Sequence, residues 1–271
     1  MEVISFILAT IVGISLGLIG SGGSILTVPI LVYVMGVSPV LAAAYSLFIV
    51  GSTALVGGIQ SAREKKVDFK TALIFGIPSI AAVYATRMWL IPMIPMELFS
   101  IGSLDINKPI ALMLLFAVVM ILASVSMIRP DKNIEIDENA PLSYNYPLIL
   151  VEGIVVGVLT GLVGAGGGFL IIPALVLLAR MPMKLAVGTS LFIIAGKSLI
   201  GFTGDIQGNA QIDWKLLITF TAFAVLGIFI GIFLSGKMPG EKLKKGFGWF
   251  VLIMGIYIIV KEIFFPSVGS H

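Results

Sequence analysis

The sequence predicts an all-α integral membrane protein made of two inverted-topology repeats, each with a Gly-rich broken or re-entrant helix. Three observations lead to this prediction. Hydrophobic residues occupy 58% of the 271 positions and charged residues only 11%, whereas soluble domains carry roughly 25% charged residues. Most stretches between turn signals are apolar and approach the roughly 20 residues that a spanning helix needs. A glycine-rich segment occurs twice, and the basic residues around its two copies are distributed in opposite ways.

Ten apolar segments follow one another along the chain. We expect helices, because lipid offers no water to satisfy open backbone groups. The first segment lacks the basic start of a signal peptide, so we expect it to be retained. The segments are 3–19, 25–35, 41–60, 71–92, 109–128, 147–163, 169–179, 185–203, 216–235 and 247–265.

Two of these segments, 25–35 and 169–179, are too short to cross the hydrocarbon core, which is about 30 Å thick. Each follows a cluster of glycines and contains a proline, Pro29 or Pro173. Short apolar segments interrupted by Gly and Pro are typical of broken or re-entrant helices in transporters.

The polar stretch 129–146 is charged and non-periodic, which predicts a linker. It separates a first transmembrane repeat, 1–128, from a second, 147–271. Residues 17–31 (GLIGSGGSILTVPIL) match residues 161–175 (GLVGAGGGFLIIPAL) at an offset of 144 positions. The match extends beyond this motif into helices and loops, so it predicts two structural copies of one unit. The further aligned pairs are 46–49 with 190–193 and, with a drift of one residue, 67–70 with 212–215.

The charges of equivalent loops predict opposite orientations for the two copies. Wherever a loop of one copy is basic, its counterpart in the other copy has at most one basic residue. Because basic loops stay in the cytoplasm, the copies run in opposite directions, the linker is cytoplasmic and both termini are extracytoplasmic. The basic positions of these loops and the linker are Arg63, Lys65, Lys66, Lys70, Arg129, Lys132, Arg180, Lys184, Lys237, Lys242, Lys244 and Lys245.

The two glycine clusters are the first candidates for a binding site. A glycine-rich turn that opens a helix leaves backbone N–H groups free at the positive end of the helix dipole, where an anion binds well. The alternative is close helix packing through small residues. The candidate residues are Gly20, Ser21, Gly22, Gly23 and Ser24 in the first copy, and Gly164, Gly166, Gly167 and Gly168 in the second.

Hydroxyl groups and one lysine add to this hypothesis. Ser46, Thr189 and Ser190 lie near the starts of the helices that follow the clusters, where they either donate to an anion or cap and join helices. Lys197 lies in the middle of an apolar segment, and a cation there indicates function by default. It could bind an anionic substrate, pair with Asp205 two helical turns away, or play a structural role.

Other polar residues lie near helix ends. Arg87 is expected to snorkel to the interface beside Trp89. Three residues, Gln60, Asp205 and Gln207, are candidates for a gate or for coupling, with interfacial capping as the alternative.

Several classes of function are disfavoured. The net charge of +3 comes from short loops between apolar runs, so it does not indicate nucleic acid. The chain has no cysteine, and its one histidine is His271, at the end. There is no phosphate-binding loop and no zinc-protease motif. We therefore expect no enzyme, no metal site and no cofactor.

The repeated motif closely resembles the sulfite exporter TauE/SafE family. The resemblance rests on G-L-x-G-x-G-G-(G/S)-x-L-x-x-P in both halves, the S-L segments that follow and the (V/I)-D-(F/W)-K sequences. It covers both repeats. It implies a transporter of the bacterial inner membrane for small sulfur-containing anions such as sulfite or organosulfonates. Lys197 lies outside the matched motifs.

These observations together favour a secondary transporter, an exporter that moves a small anion across the lipid bilayer by alternating access. An ion gradient or the membrane potential would supply the energy. The alternatives are an anion channel, a transporter of another small carboxylate or oxyanion, and a subunit without transport activity of its own. A homo-oligomer is compatible with the sequence.

Overall fold

The computed structural model describes residues 2–20, 22–101, 104–128, 146–164, 166–177, 181–207, 211–235 and 240–264. The predicted linker, apart from Tyr146, lies outside these residues, and so does Ser21. The division of the chain into two repeats and a linker therefore remains a prediction.

The described part of the chain is dominated by helices. Five of them are long and apolar enough to cross a membrane: Pro39–Arg63, Phe69–Met93, Lys108–Val125, Leu185–Gln207 and Trp214–Leu234. The α-helices are α1 (Glu2–Ile19), α2 (Gly22–Pro29), α3 (Pro39–Arg63), α4 (Phe69–Ala85), α5 (Ile91–Met93), α6 (Lys108–Ile128), α7 (Tyr146–Val163), α8 (Gly168–Leu177), α9 (Met183–Gln207), α10 (Trp214–Ser235) and α11 (Gly240–Phe264).

Each of the ten predicted apolar segments is confirmed as helical over nearly all of its described residues, and most helices extend a few residues beyond the apolar run. Two π-helical turns were not predicted. Ile30–Val34 continues α2, and Thr86–Leu90 joins α4 to α5. Even with its π-helical turn, α2 measures only about 20 Å, and α8 about 15 Å, at 1.5 Å per residue. Both are shorter than the hydrocarbon core, as expected for broken helices.

A small β-hairpin in the loop before α6 was also missed. Strand β1 (Glu97–Ile101) pairs in antiparallel fashion with β2 (Leu104–Asn107). The signal was present, because two short runs that begin Glu97-Leu98 and Leu104-Asp105 flank a Gly-Ser dipeptide, a common hairpin turn sequence. The fold is therefore a helical membrane bundle with one hairpin in a loop.

The helices pack in pairs that follow the repeat. Helix α1 packs on α10. Their counterparts in the sequence repeat, α7 for α1 and α4 for α10, pack on each other in the same way, and α3 packs on its own counterpart, α9. Small residues allow the close approach that membrane helices need. A methyl group on Gly13 of α1 would lie 1.9 Å from the carbonyl oxygen of Ala224 on α10. The outward side chains of these helices are largely apolar, with Leu73, Ile218 and Phe233 among the most exposed.

Two hydrogen bonds between the repeats have the same symmetry. The backbone N–H of Asp68 donates to Thr189 Oγ1 at 2.9 Å, and the N–H of Asp213 donates to Tyr45 Oη at 2.6 Å. Each aspartate also caps its own helix, because Asp68 accepts from the N–H of Lys70 and Asp213 from that of Leu216. Positions that match in the sequence therefore make equivalent contacts. The opposite orientation of the two copies in the membrane remains a prediction.

Candidate functional site

Both glycine clusters form breaks between two helices. Gly20 directly follows α1 and Gly164 directly follows α7, with φ angles of +76° and +75°. Their N–H groups donate at 2.7 Å to the carbonyl oxygens of Leu16 and Thr160, respectively. Glycine is the usual residue for such a left-handed helix cap. The chain then turns and starts a short helix, at Gly22 or at Gly168.

Each turn packs on a long helix of the other repeat. A methyl group on Gly164 would lie 2.5 Å from Ala43 Cβ on α3, and one on Gly20 would lie 2.5 Å from Val187 Cγ1 on α9. Ala43 and Val187 are themselves separated by the repeat offset of 144 positions. The two breaks therefore pack on equivalent positions of α3 and α9.

The two clusters also come close to each other. A methyl group on Gly166 would lie 3.3 Å from Ser24 Cβ and 2.7 Å from Val50 Cγ1 on α3. Ser24 is fully buried. Gly23 has a packing role, because a methyl group there would lie 2.1 Å from the carbonyl oxygen of Val12 on α1.

Lys197 lies at the second glycine turn. Its side chain is fully buried, and Nζ donates to Thr160 Oγ1 at 3.1 Å. A methyl group on Gly167, whose φ is +63°, would lie 2.6 Å from Nζ and 2.1 Å from Thr160 Oγ1. The backbone of the turn is therefore in contact with the ammonium group, and only glycine fits there without strain or displacement.

The ammonium of Lys197 forms no ion pair among the described residues. The two ion pairs found there are Lys66–Glu64, which is exposed, and Arg87–Asp205. The pairing of Lys197 with Asp205, one of the sequence-based alternatives, is therefore absent. Thr53, the equivalent of Lys197 in the first repeat, donates to the carbonyl oxygen of Ile49 on its own helix. The cation thus makes the two halves of the site unequal.

The candidate hydroxyl groups differ in their surroundings. Ser46 is fully buried, and its Oγ has no hydrogen-bond partner among the residues that the structure describes. It lies between Ala43 and Val50 on the face of α3 that contacts the second turn. Ser190 donates to the carbonyl oxygen of Val187, and Thr189 accepts from Asp68, so both are engaged within the protein.

The gate candidates lie near the ends of helices. Asp205 Oδ1 accepts from Arg87 Nη1 at 3.3 Å, and Gln207 Oε1 accepts from Tyr84 Oη at 2.5 Å. Gln60 donates to Glu64 at 3.4 Å on an exposed surface.

The expectation that Arg87 snorkels is wrong, because this side chain is only 2% exposed and is paired with Asp205. Hydropathy alone could not reveal this partner, which is 118 positions away. Thr160 was also missed as the partner of Lys197. Its only sequence signal is that it stands where the first repeat has Leu16.

Comparison with known proteins gives a consistent result. The family described as "Sulfite exporter TauE/SafE" matches residues 5–258. A "Probable membrane transporter protein" of Xylella fastidiosa (strain 9a5c) is 30% identical over 259 residues, which cover 92% of this chain and 91% of that protein. The "Probable membrane transporter protein YunE" of Bacillus subtilis is 28% identical over 282 residues, with 96% and 99% coverage.

A third relative, from Haemophilus influenzae and also named "Probable membrane transporter protein", is 28% identical over 279 residues, which cover 94% of this chain and 97% of that protein. No solved structure matches the chain significantly. The family match and these relatives span both repeats, including the two glycine breaks and Lys197. The chain therefore belongs to the sulfite exporter TauE/SafE family and is a multi-pass membrane transporter.

Proposed function

We propose that this protein exports small sulfur-containing anions, such as sulfite or organosulfonates, across the bacterial inner membrane by alternating access. The observation behind this proposal is the buried ammonium of Lys197, which has a neutral hydroxyl as its hydrogen-bond partner and no ion pair among the described residues. A charge in an apolar interior is costly unless it is paired. A bound anion would supply the missing countercharge.

The surroundings of Lys197 suit an oxyanion with several acceptor oxygens. The ammonium has three N–H donors, and Thr160 accepts from one of them. The hydroxyl of Ser46 is a further donor without a partner among the described residues. The glycine turn at Gly166 and Gly167 brings the start of α8 to the same place, and the first N–H groups of a helix lack acceptors within it. We assign anion binding to these groups, with Ser24 and Gly168 beside them.

The choice of a sulfur oxyanion rests on the family. The family is described as a sulfite exporter family, and sulfonates resemble sulfite because they also carry negatively charged oxygens on sulfur. Export requires no energy source beyond the membrane potential, because a potential that is negative inside drives an anion outward. In this proposal both termini lie outside the cytoplasm.

A carrier agrees with the geometry better than a channel does. Lys197, Ser46 and Thr160 are each at most 2% exposed, so the candidate site is closed to solvent in this conformation. A channel needs a continuous polar path, whereas a carrier holds its substrate in an occluded site.

Sulfite binding and transport test the proposal directly. The detergent-purified protein is heated with sulfite, sulfate, sulfoacetate or oxalate at constant ionic strength, because a ligand of the folded state raises apparent stability. Counterflow of radiolabelled sulfite is then measured in proteoliposomes. We expect stabilisation by sulfite or sulfoacetate and saturable counterflow, and we expect K197M to lose both. K215M, which removes an exposed lysine at the start of α10, is the matched control.

Three results would contradict parts of the proposal. If no anion raises the thermal stability of the wild-type protein and no sulfite flux is seen, the proposed anion site is wrong. If K197M is stabilised by sulfite and shows counterflow like the wild type, Lys197 does not bind the anion. Flux that does not saturate and shows no counterflow would indicate a channel.

A further inference from the structure

A second buried cation, Arg87, lies outside the site proposed above. Its side chain is among the largest fully buried ones, and its Nη1 donates to Asp205 Oδ1 at 3.3 Å. The other two nitrogens, Nε and Nη2, have no hydrogen-bond partner among the described residues, and Asp205 Oδ2 also has none there. Buried donors on a charged group are almost always satisfied, so this guanidinium requires an explanation.

The atoms left open form a recognisable unit. Nε and Nη2 make up one edge of the guanidinium, and their N–H groups point in parallel, which matches two oxygens of a carboxylate, phosphate or sulfonate. Asp205 occupies the opposite end of the group. An ion pair of this kind fixes the guanidinium and leaves its bidentate edge available to a second anion.

The backbone on both sides of Arg87 has features that accommodate its side chain. It lies on the π-helical turn Thr86–Leu90, and π-helical turns are frequent at functional sites. Opposite it on α9 is Gly204, where a methyl group would lie 3.1 Å from Arg87 Cβ. Glycine at this position therefore leaves the space that the arginine side chain occupies.

Arg87 is connected to the Lys197 site through neighbouring residues. Thr160, the hydrogen-bond partner of Lys197, precedes Gly161, and a methyl group on Gly161 would lie 2.7 Å from Thr86 Cβ. Thr86 in turn precedes Arg87. Asp205 follows Lys197 on α9 by eight residues, about 12 Å along the helix axis. Lys197 and Asp205, the partner of Arg87, thus lie at successive levels along α9.

We propose that Arg87 is a second anion-binding position, which the transported oxyanion occupies between the Lys197 site and the membrane surface nearest to Asp205. The loop charges assign this surface to the extracytoplasmic side. The anion passes from the ammonium of Lys197 to the Nε and Nη2 edge of Arg87 before release, while Asp205 holds Nη1. This inference rests on the proposed export of sulfur oxyanions and adds a residue that acts after the first site.

The alternative is that the ion pair of Arg87 and Asp205 only holds the π-helical turn Thr86–Leu90 and α9 together. Substitutions that remove one or both charges separate the two roles. If the pair is only structural, R87Q and D205N each leave one buried charge unpaired and damage transport, and the double variant R87Q/D205N restores it. Removal of both partners of a buried ion pair is often neutral for stability. If Arg87 binds the anion, R87Q and the double variant lose transport, whereas D205N loses less, because the amide oxygen of asparagine still accepts from Nη1.

The experiment compares wild type, R87Q, D205N and R87Q/D205N in proteoliposomes loaded with radiolabelled sulfite, with thermal stabilisation by sulfite measured on each purified protein. We expect the efflux rate of R87Q and of the double variant to fall about tenfold or more, as for the loss of a charge-assisted hydrogen bond. We expect D205N to retain more efflux than either variant that lacks Arg87. Stabilisation of the double variant by sulfite remains, because the Lys197 site is intact.

Wild-type efflux by R87Q/D205N would overturn the inference and leave the proposed function standing. If D205N loses efflux and the double variant recovers it, the inference is also overturned, and the ion pair is only structural. The proposed function would still stand. Absence of sulfite efflux and stabilisation in the wild type would instead overturn the proposed function, and the inference with it.

Discussion

The Nζ of Lys197 lies 3.1 Å from the Oγ1 of Thr160, and this hydrogen bond joins α9 to α7 beside the second glycine turn. It gives the buried ammonium a neutral oxygen as an acceptor. Lys197 and Thr160 are 37 positions apart. Both are nearly inaccessible to solvent. We therefore expect the hydroxyl of Thr160 to contribute to the stability of the protein.

Substitution of Thr160 by valine should destabilise the empty protein. The change keeps the shape of the side chain but removes the acceptor, and the loss of a hydrogen bond to a charged group costs about 1.5–3 kcal/mol. Saturating sulfite should recover part of this loss, because the anion pairs with the ammonium. Thermal unfolding in detergent measures both effects. T160S keeps the hydroxyl and is the control, so equal stabilities of the two variants would contradict the prediction.

Substitution of Lys197 by methionine should have the opposite effect on stability. Methionine fills nearly the same volume without a charge, and a buried charge without an ion-pair partner is costly to the folded state. We expect K197M to unfold at a higher temperature than the empty wild type while it loses the response to sulfite. K215M, on an exposed position, should change stability by less than about 0.5 kcal/mol. A less stable K197M would indicate that the ammonium is already well paired.

Substitution of Gly167 by alanine should impair both folding and anion binding. The new methyl group would lie 2.6 Å from Lys197 Nζ and 2.1 Å from Thr160 Oγ1, and the φ of +63° disfavours a side chain in any case. Strain of this kind costs about 1–3 kcal/mol. A methyl group on Gly76 of α4 would meet no atom within 4 Å outside its own stretch of helix, so G76A should be tolerated or slightly stabilising. Equal stability and sulfite response of G167A and G76A would show that the turn is not constrained.

The sequence was sufficient to predict the helices and the two breaks between them. Apolar runs fix the helices because lipid leaves few alternatives, and the repeated motif placed Gly20 and Gly164 at equivalent breaks. The sequence also pointed to Lys197, because a cation in the middle of an apolar run is conspicuous.

Partners of individual side chains could not be predicted in the same way. The neighbours of Lys197 and Arg87 come from other helices, and hydropathy does not tell which helices pack together. Two candidate residues, Lys197 and Asp205, were close enough in sequence to suggest a pair, but the structure gives each a different partner. The roles of hydroxyl groups were equally ambiguous, and Thr189 is the clearest case.

Substitution of Thr189 by valine should lower stability without changing the affinity for sulfite. Thr189 Oγ1 accepts the N–H of Asp68 at the start of α4, so valine would leave that partly buried N–H without this acceptor, at a cost of about 1 kcal/mol. The symmetric variant Y45F removes the acceptor of the Asp213 N–H and should have a similar effect. T189S retains the oxygen and serves as the control. Titration of thermal stability with sulfite measures affinity and stability together. A weaker affinity in T189V but not in Y45F would mean that Thr189 also binds the anion, whereas equal affinities would assign both hydroxyl groups to the contacts between the repeats.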